Sequence, residues 1–234
     1  MLYIIGLGLN VEGISVQGLE ILKRCKKIYL ENYTVDFPYS EGELNEKLGL
    51  KKLYPADREF IESEKIVDEA KKMDVALLVY GSPLTATTHI SLINEAKRLG
   101  IKCKVIYSAS IIDAVAETGL QLYKFGKVTS IPKFEAESFM EVIKENNSIN
   151  AHTLILADIG LDFQDALEKL KTATANHNFK LEKIIVCQRL GTKNSKIFYK
   201  NIKDFEEFTG VRSPFCFIIP GKLHFLEREY LNGF

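Results

Sequence analysis

Two short glycine-bearing stretches are where chemistry is first visible in this chain. Gly6-Leu7-Gly8-Leu9 follows the apolar run Leu2–Ile5, and Gly81-Ser82-Pro83-Leu84-Thr85-Ala86-Thr87-Thr88-His89 follows the apolar run Val75–Val79. Glycine lets backbone N–H groups approach a ligand closely. The first stretch is no dinucleotide fingerprint, because the third glycine would have to stand at Val11 and Gly13 comes too late. It reads either as a tight strand-to-loop turn or as a cofactor loop. In the second stretch Thr87 or Thr88 would N-cap a helix beginning at Ile90, which is compatible with ligand binding by the same loop. Ligands of open α/β sheets gather outside the carboxyl ends of strands, so two such loops at two strand ends point to one shared pocket. Ser110-Ile111 would line it if the chain breaks there.

Other reactive side chains are less informative. His89 taken alone is more often a structural histidine than a base. Asp158, at the end of an apolar run, is more often a cap or salt-bridge partner than a catalytic acid. Ser, His and Asp compose no nucleophile–base set, and no GxSxG elbow is present. Gly126-Lys127 lacks the preceding glycine of a phosphate loop. Tyr123-Lys124-Phe125-Gly126-Lys127 mixes aromatic and basic residues, which would suit contact with a protein or nucleic acid. The plainer reading is a helix end with cations near its dipole and Gly126 as the stop. The four cysteines (Cys25, Cys103, Cys187, Cys216) lie far apart, form no CxxC pair and do not cluster with the four histidines, so neither a zinc site nor a disulfide framework is expected.

The elements that must position these residues follow from periodicity. Strands are expected at Leu2–Ile5, Lys27–Leu30, Val75–Val79 and Lys102–Ile106, and helices at Val16–Arg24, Arg58–Met73 and Ile90–Leu99, the last closed by Gly100. This alternation predicts an α/β sheet with substantial parallel pairing. The small polar break Ser108-Ala109-Ser110 precedes a helical stretch, Ile111–Leu122. Beyond it, Val128–Ile131, Thr153–Ala157, Lys183–Cys187 and Cys216–Ile219 read as strands, Ile197–Asn201 as an edge or hairpin strand, and Phe139–Lys144 and Phe163–Thr172 as helices. The reading is therefore two α/β domains, 1–109 and 110–234, whose short join implies a shared cleft.

Composition agrees. The chain has 234 residues, 46% hydrophobic and 26% charged, with Lys+Arg and Asp+Glu both at 31. That is ordinary globular composition, and a balanced charge provides no global field for nucleic acid or an anionic membrane. The apolar N-terminus meets Asn10 and Glu12 too soon for a membrane span and lacks the basic region of a signal peptide, so a cytoplasmic protein is expected.

In this order, Ile5-Gly6-Leu7-Gly8-Leu9, Glu31-Asn32-Tyr33-Thr34, the Gly81–His89 loop, Ser110-Ile111 through Thr118-Gly119-Leu120, Tyr123–Lys127 and Pro220-Gly221-Lys222-Leu223-His224 resemble the diphthine synthases. These are the methyltransferases of the diphthamide pathway in archaea and eukaryotes, within the tetrapyrrole-methylase (class III methyltransferase) superfamily. The resemblance spans residues 1–231. It implies S-adenosylmethionine held between two α/β domains, S-adenosylhomocysteine as product, no metal, and a homodimer. It also implies a protein acceptor, translation elongation factor 2, methylated repeatedly on the amino group of a modified histidine. The cofactor positions it implies are Leu9, Ser82, Thr85, Ser110, Ile111, Ala157, Leu190 and Phe215. Several depart from the family's usual residues. Ser82 stands for an aspartate and Thr85 for a valine, and Ala157, Leu190 and Phe215 stand where Leu, Ala and His are usual. A corrinoid or sirohaem precursor as acceptor, or a protein that binds S-adenosylmethionine without turnover, are the other readings. With partner and cofactor both recognised locally, Tyr123–Lys127 and Lys222–His224 are the expected recognition stretches.

Overall fold

The structure, a computed structural model, describes residues 1–50 and 52–234. It divides into two compact units, Met1–Ile112 and Asp113–Phe234.

The first unit is built on β1 (Leu2–Gly6), β2 (Lys27–Glu31), β3 (Tyr54–Ala56), β4 (Val75–Val79) and β5 (Cys103–Ile106), in the sheet order β3-β2-β4-β1-β5. Every pairing is parallel. β4 is a run of five apolar residues, all fully buried, as a strand covered on both faces must be. Successive side chains of a strand point to opposite faces. Leu2, Ile4, Val75, Leu77 and Val79 accordingly join one cluster, and Tyr3, Ile5, Ala76 and Leu78 another. Helices α1 (Val16–Leu22) and α2 (Glu41–Leu48) cover the second face through Ile21, Leu22 and Leu44. Helices α3 (Arg58–Glu62), α4 (Lys65–Ala70) and α5 (Ile90–Arg98) cover the first through Ile61, Ile66, Val67, Leu92 and Ala96.

Three local outcomes differ from the sequence reading. The helix expected over Arg58–Met73 is two helices, because Glu64 takes a left-handed conformation (φ 57°) and Ser63 Oγ turns back to the Phe60 carbonyl. Helix α2 was not anticipated, although the Ser40…Glu43 capping box that starts it is written in the sequence. Strand β3 is three residues long and contains Pro55, which suits its place at the sheet edge and hides it from periodicity.

The chain leaves the first unit through α6 (Ile111–Ala114), which passes into a 3₁₀ turn, Val115–Thr118. The helix expected to reach Leu122 stops here: Thr118 Oγ1 bonds the Val115 carbonyl and Gly119 adopts φ 77°. The second sheet comprises β6 (Thr129–Ile131), β7 (Thr153–Ala157), β8 (Lys183–Gln188), β9 (Lys196–Asn201) and β10 (Phe215–Ile219), in the order β6-β7-β10-β8-β9. Only β6 and β7 run parallel; the β7–β10, β10–β8 and β8–β9 pairings are antiparallel. Helices α7 (Phe139–Ser148) and α8 (Phe163–Asn176) supply Phe139, Met140, Ile143, Leu167 and Leu170 to a core shared with Ile155, Val186 and Phe217. A last helix, α9 (Phe225–Leu231), is capped by His224 and Glu227.

Candidate functional site

In the first unit the two glycine loops leave neighbouring strands. The connection after β1 leads to α1 on one face, and the connection after β4 leads to α5 on the other. Adjacent parallel strands whose onward connections part in this way open a crevice at their carboxyl ends. The loops close its base: Gly8 N–H donates to Gly81 O at 3.1 Å, and Gly81 N–H donates to Gly8 O at 3.0 Å. Gly8 sits at φ 71°, and a Cβ there would lie 2.8 Å from Gly13 O and 2.9 Å from Ser108 Oγ. At Gly6 a Cβ would lie 2.6 Å from Gly81 O. Only glycine lets these backbones approach so closely.

The predicted positions of this unit gather around that base. Leu9 is buried, and its carbonyl accepts a 3.0 Å hydrogen bond from the Tyr80 hydroxyl. Ser82 and Thr85 are half-buried in one turn, with Thr85 N–H donating to Ser82 O. Ser110 is buried after β5, and its hydroxyl accepts from the Ile112 N–H at 3.2 Å. Ile111 follows it, half-buried. Ser108 Oγ donates to Gly13 O at 2.7 Å, tying the end of β5 to the loop after β1. The helix cap departs from expectation. His89, not a threonine, occupies the N-cap of α5, while Thr87 Oγ1 donates to the Pro83 carbonyl at 2.7 Å.

In the second unit the antiparallel register brings the other predicted positions to one end of the sheet. Cys216 pairs with Leu156, so Phe215 stands beside Ala157, and Phe215 pairs with Gln188, two residues before Leu190. The Phe215 ring is committed to packing, 5.7 Å from the rings of Phe163 and Phe217. Asp158 is neither the helix cap, which is Asp162, nor, among the described residues, an ion-pair partner: its exposed carboxylate accepts from the Lys133 and Ile159 N–H groups and shapes a turn.

The sequence reading missed a buried ionic cluster that joins three distant segments. Glu227 of α9 is fully buried and accepts from Lys124 Nζ, Gln121 N–H (3.0 Å), His224 N–H (2.7 Å) and His152 Nε2 (3.1 Å). Burial opposes its ionisation, but Lys124 and the other donors outweigh that and hold its pKa at about 2. Gly221 N–H donates to His152 Nδ1, so the neutral ring carries its hydrogen on Nε2. Burial pushes the His152 pKa below its ordinary value despite Glu227, consistent with that neutral form. A 3₁₀ turn, Leu122–Lys124, does end within Tyr123–Lys127 with Lys124 in its last turn, but Gly126 is not its stop and the stretch runs on as a strap: Gly126 N–H donates to His152 O, and a Cβ at Gly126 would collide with Asn146. The only sequence signal for the cluster was the His224…Glu227 spacing of a cap. Tyr123–Gly126 of the strap, Ile149–Ala151 and Lys222–His224 also line one open groove of about 570 Å³.

Cys187 and Cys216 are direct cross-strand partners, although 29 positions separate them in sequence. Their mutual contact, then burial, pushes the Cys187 thiol well above its ordinary pKa. Among the described residues, no three His, Cys, Asp or Glu side chains gather as metal ligands would. Nor is any described helix long and apolar enough to cross a membrane.

A parallel sheet with a glycine-floored crevice, followed by a mixed sheet, is the arrangement of a known class. The model of the Tetrapyrrole (Corrin/Porphyrin) Methylases matches residues 1–206, and the chain belongs to that family. The finer comparison is as clear. A diphthine synthase of Methanocaldococcus jannaschii is 40% identical, over 99% of this chain and 98% of that protein. Diphthine methyl ester synthase 2 of Candida albicans is 35% identical, over 100% of this chain and 89% of that protein. A crystal structure of a diphthine synthase superposes with a TM-score of 0.92 at 32% identity, covering 100% of this chain and 95% of that one. Within the methylases the family is thus that of the diphthine synthases, the S-adenosylmethionine-dependent methyltransferases of diphthamide biosynthesis. A corrinoid or sirohaem precursor as acceptor is not favoured.

Proposed function

We propose that the chain methylates, repeatedly, the amino group of the modified histidine of translation elongation factor 2, acting as a cytoplasmic homodimer. The observation that carries this reading is the end-to-end likeness to the diphthine synthases, from the first glycine loop to the last helix. S-adenosylmethionine would be held by Leu9, Ser82, Thr85, Ser110 and Ile111 from the first unit and Ala157, Leu190 and Phe215 from the second. The residues of the first unit fit such a molecule. A floor of glycine backbone with the hydroxyls of Ser82, Thr85 and Ser110 matches an adenosine, whose polar groups are neutral. Ser82 can donate or accept one hydrogen bond but brings no charge.

When bound, the cofactor supplies a methyl group on a sulfonium, a good leaving group. The chain's own task is therefore alignment and exclusion of water, which together lower such a barrier most. The acceptor's α-amino group, beside a free carboxylate, is mostly protonated at neutral pH, so it must shed a proton before each transfer. Neither a metal nor an oxyanion hole is called for. The groove lined by Tyr123, Lys222 and His224 is where the elongation factor would make contact outside the crevice.

One assay tests the reading. Labelled S-adenosylmethionine is incubated with elongation factor 2 bearing the aminocarboxypropyl histidine, and binding of the cofactor is measured by calorimetry. Label on that histidine is expected, and mass spectrometry of the peptide locates each methyl on nitrogen or on the carboxylate. Intact cofactor binding with no label would instead identify a binding protein without turnover.

A further inference from the structure

Strands β2 and β4 are adjacent and parallel, so their carboxyl ends, at Glu31 and Val79, share one edge of the sheet. Glu31-Asn32-Tyr33-Thr34 leaves the first, and the loop ending in Thr87-Thr88-His89 leaves the second. The two stretches meet. The Tyr33 ring stands edge-on to the His89 imidazole with centroids 6.5 Å apart, and the Tyr33 hydroxyl is itself buried without a hydrogen-bond partner among the described residues. Each stretch is fixed by a buried polar residue. The Glu31 carboxylate accepts from Tyr33 N–H at 2.8 Å and from Thr34 Oγ1 at 2.7 Å. Nδ1 of His89 lies 3.1 Å from the Pro83 carbonyl oxygen.

That second contact settles the tautomer. A carbonyl can only accept, so Nδ1 carries the hydrogen and the lone pair of the neutral ring is on Nε2. His89 is wholly buried, and its Nε2 has no hydrogen-bond partner. Anchoring the loop uses Nδ1 alone. A buried ring nitrogen left unpaired calls for an explanation, and an N–H from a ligand would provide one. Thr88, next in sequence, is exposed, and Tyr33, edge-on to the ring, is half-buried, so side chains that reach the surface adjoin the buried His89. The charged groups that act on Tyr33 are Glu31, Arg58 and Glu62, with the Arg58 guanidinium over its ring.

The location suits a methyl acceptor. The crevice opens between β1 and β4, and β2 is the next strand on the far side of β4, so the Glu31–Thr34 stretch leaves the sheet one strand spacing, about 4.8 Å, from β4. An amine methylated more than once must shed a proton between rounds. We propose that Nε2 of His89 receives the N–H of the methylated amine and takes that proton. The proton passes from the ammonium nitrogen to the Nε2 lone pair, and no other reactant is needed. This rests on the amine-methyltransferase reading given under Proposed function.

His89→Asn and His89→Gln separate the two jobs of the ring. Asparagine can keep an N–H near the Nδ1 position and so preserve the bond to Pro83 while removing Nε2; glutamine reaches instead toward the Nε2 position. The His89→Asn variant is expected to melt like the wild type and bind S-adenosylmethionine within about twofold, yet lose methyl transfer by about 100-fold or more. Transfer within about threefold of wild type would overturn the proposal. A wild-type protein that binds the cofactor but labels no elongation factor overturns the acceptor reading instead. His89 is then decided by a second measurement. The ¹⁵N resonances of its ring are followed in the wild type with S-adenosylhomocysteine bound, before and after L-2-aminobutyrate, which reproduces the amino end of the acceptor. Movement of Nε2 with Nδ1 steady is expected, and an unmoved Nε2 resonance overturns the assignment.

Discussion

In the first unit every strand runs the same way, so all the carboxyl ends, and the loops that follow them, collect on one edge of the sheet. In the second, the comparable edge takes the carboxyl ends of β7 and β8 but the amino end of β10. The family's signature residues divide in the same way. In the first unit they form loops that Gly8 and Gly81 tie together through their own backbone groups, yet a buried polar atom, the His89 Nε2, is left unpaired. In the second, Lys124 and His224 are spent on Glu227, and Gly126 and Gly221 on His152, which itself meets Glu227, fastening the final helix to the strap. A residue pattern can thus be just as specific to a family when it serves assembly as when it serves chemistry. The way to tell the two apart is to ask whether its hydrogen-bonding groups are already satisfied within the chain.

That contrast can be broken first at Glu227. Removing a fully buried carboxylate with four donors strips the partner from the Gln121 and His224 N–H groups and from His152 Nε2, while the half-buried Lys124 keeps only its bond to the Lys222 carbonyl. Glu227→Ala is expected to destabilise the second unit by about 3–5 kcal/mol in chemical denaturation. Cofactor contacts of the first unit should be unaffected wherever the protein remains folded. The pH dependence has a definite sign. The folded pKa of Glu227, about 2, is below its ordinary value of 4.5, so its contribution is complete above pH 4.5 and is lost as pH falls toward 2. The stability gap between wild type and Glu227→Gln should therefore be widest at neutral pH and shrink through that window. A gap that widened on acidification would contradict the ionised, hydrogen-bonded carboxylate.

In the first unit the sharper probe is Gly8. Gly8→Ala forces a side chain onto the Gly13 carbonyl at φ 71°, and should cost about 1–3 kcal/mol. It should also weaken S-adenosylmethionine binding by about tenfold, roughly 1.4 kcal/mol, if the loop is a cofactor cradle. Gly100→Ala is the comparison, since Gly100 has a similar φ of 67° with nothing within 4 Å of the added carbon. It should cost about 1 kcal/mol of stability and leave cofactor binding unchanged. Equal effects of the two on binding would reduce the Gly8 loop to an ordinary tight turn.

The smallest effect is expected at Ser82. Replacing a neutral hydrogen-bonding group with a charged one adds about 1 kcal/mol, so Ser82→Asp should tighten S-adenosylmethionine about fivefold in calorimetry. An unchanged dissociation constant would show that position 82 is incidental to the cofactor.

Much of the frame was legible without coordinates. β1, β4, β7 and β10 are continuous apolar runs bounded by glycine, proline or a polar break, and Gly100 closes α5 as its sequence suggests. Such signals are local, and a strand or cap is decided by a few consecutive residues. Even so, the capping box of α2 was present and overlooked, and the break at Glu64 left no mark, because a left-handed non-glycine residue has no compositional signature.

By itself, then, the sequence determined every strand but the short edge strand β3, where the glycine loops stand, and to which family the chain belongs. Tertiary structure decided which strands are neighbours and in which direction they run. From that followed the junction of Gly8 with Gly81, the meeting of Tyr33 with His89, the pairing of Cys187 with Cys216, and the contact of Lys124 with Glu227 across 103 positions. The physical reason is range. Side-chain periodicity encodes burial within one element, whereas a site depends on which distant element packs beside it, and that is settled only when the whole sheet forms.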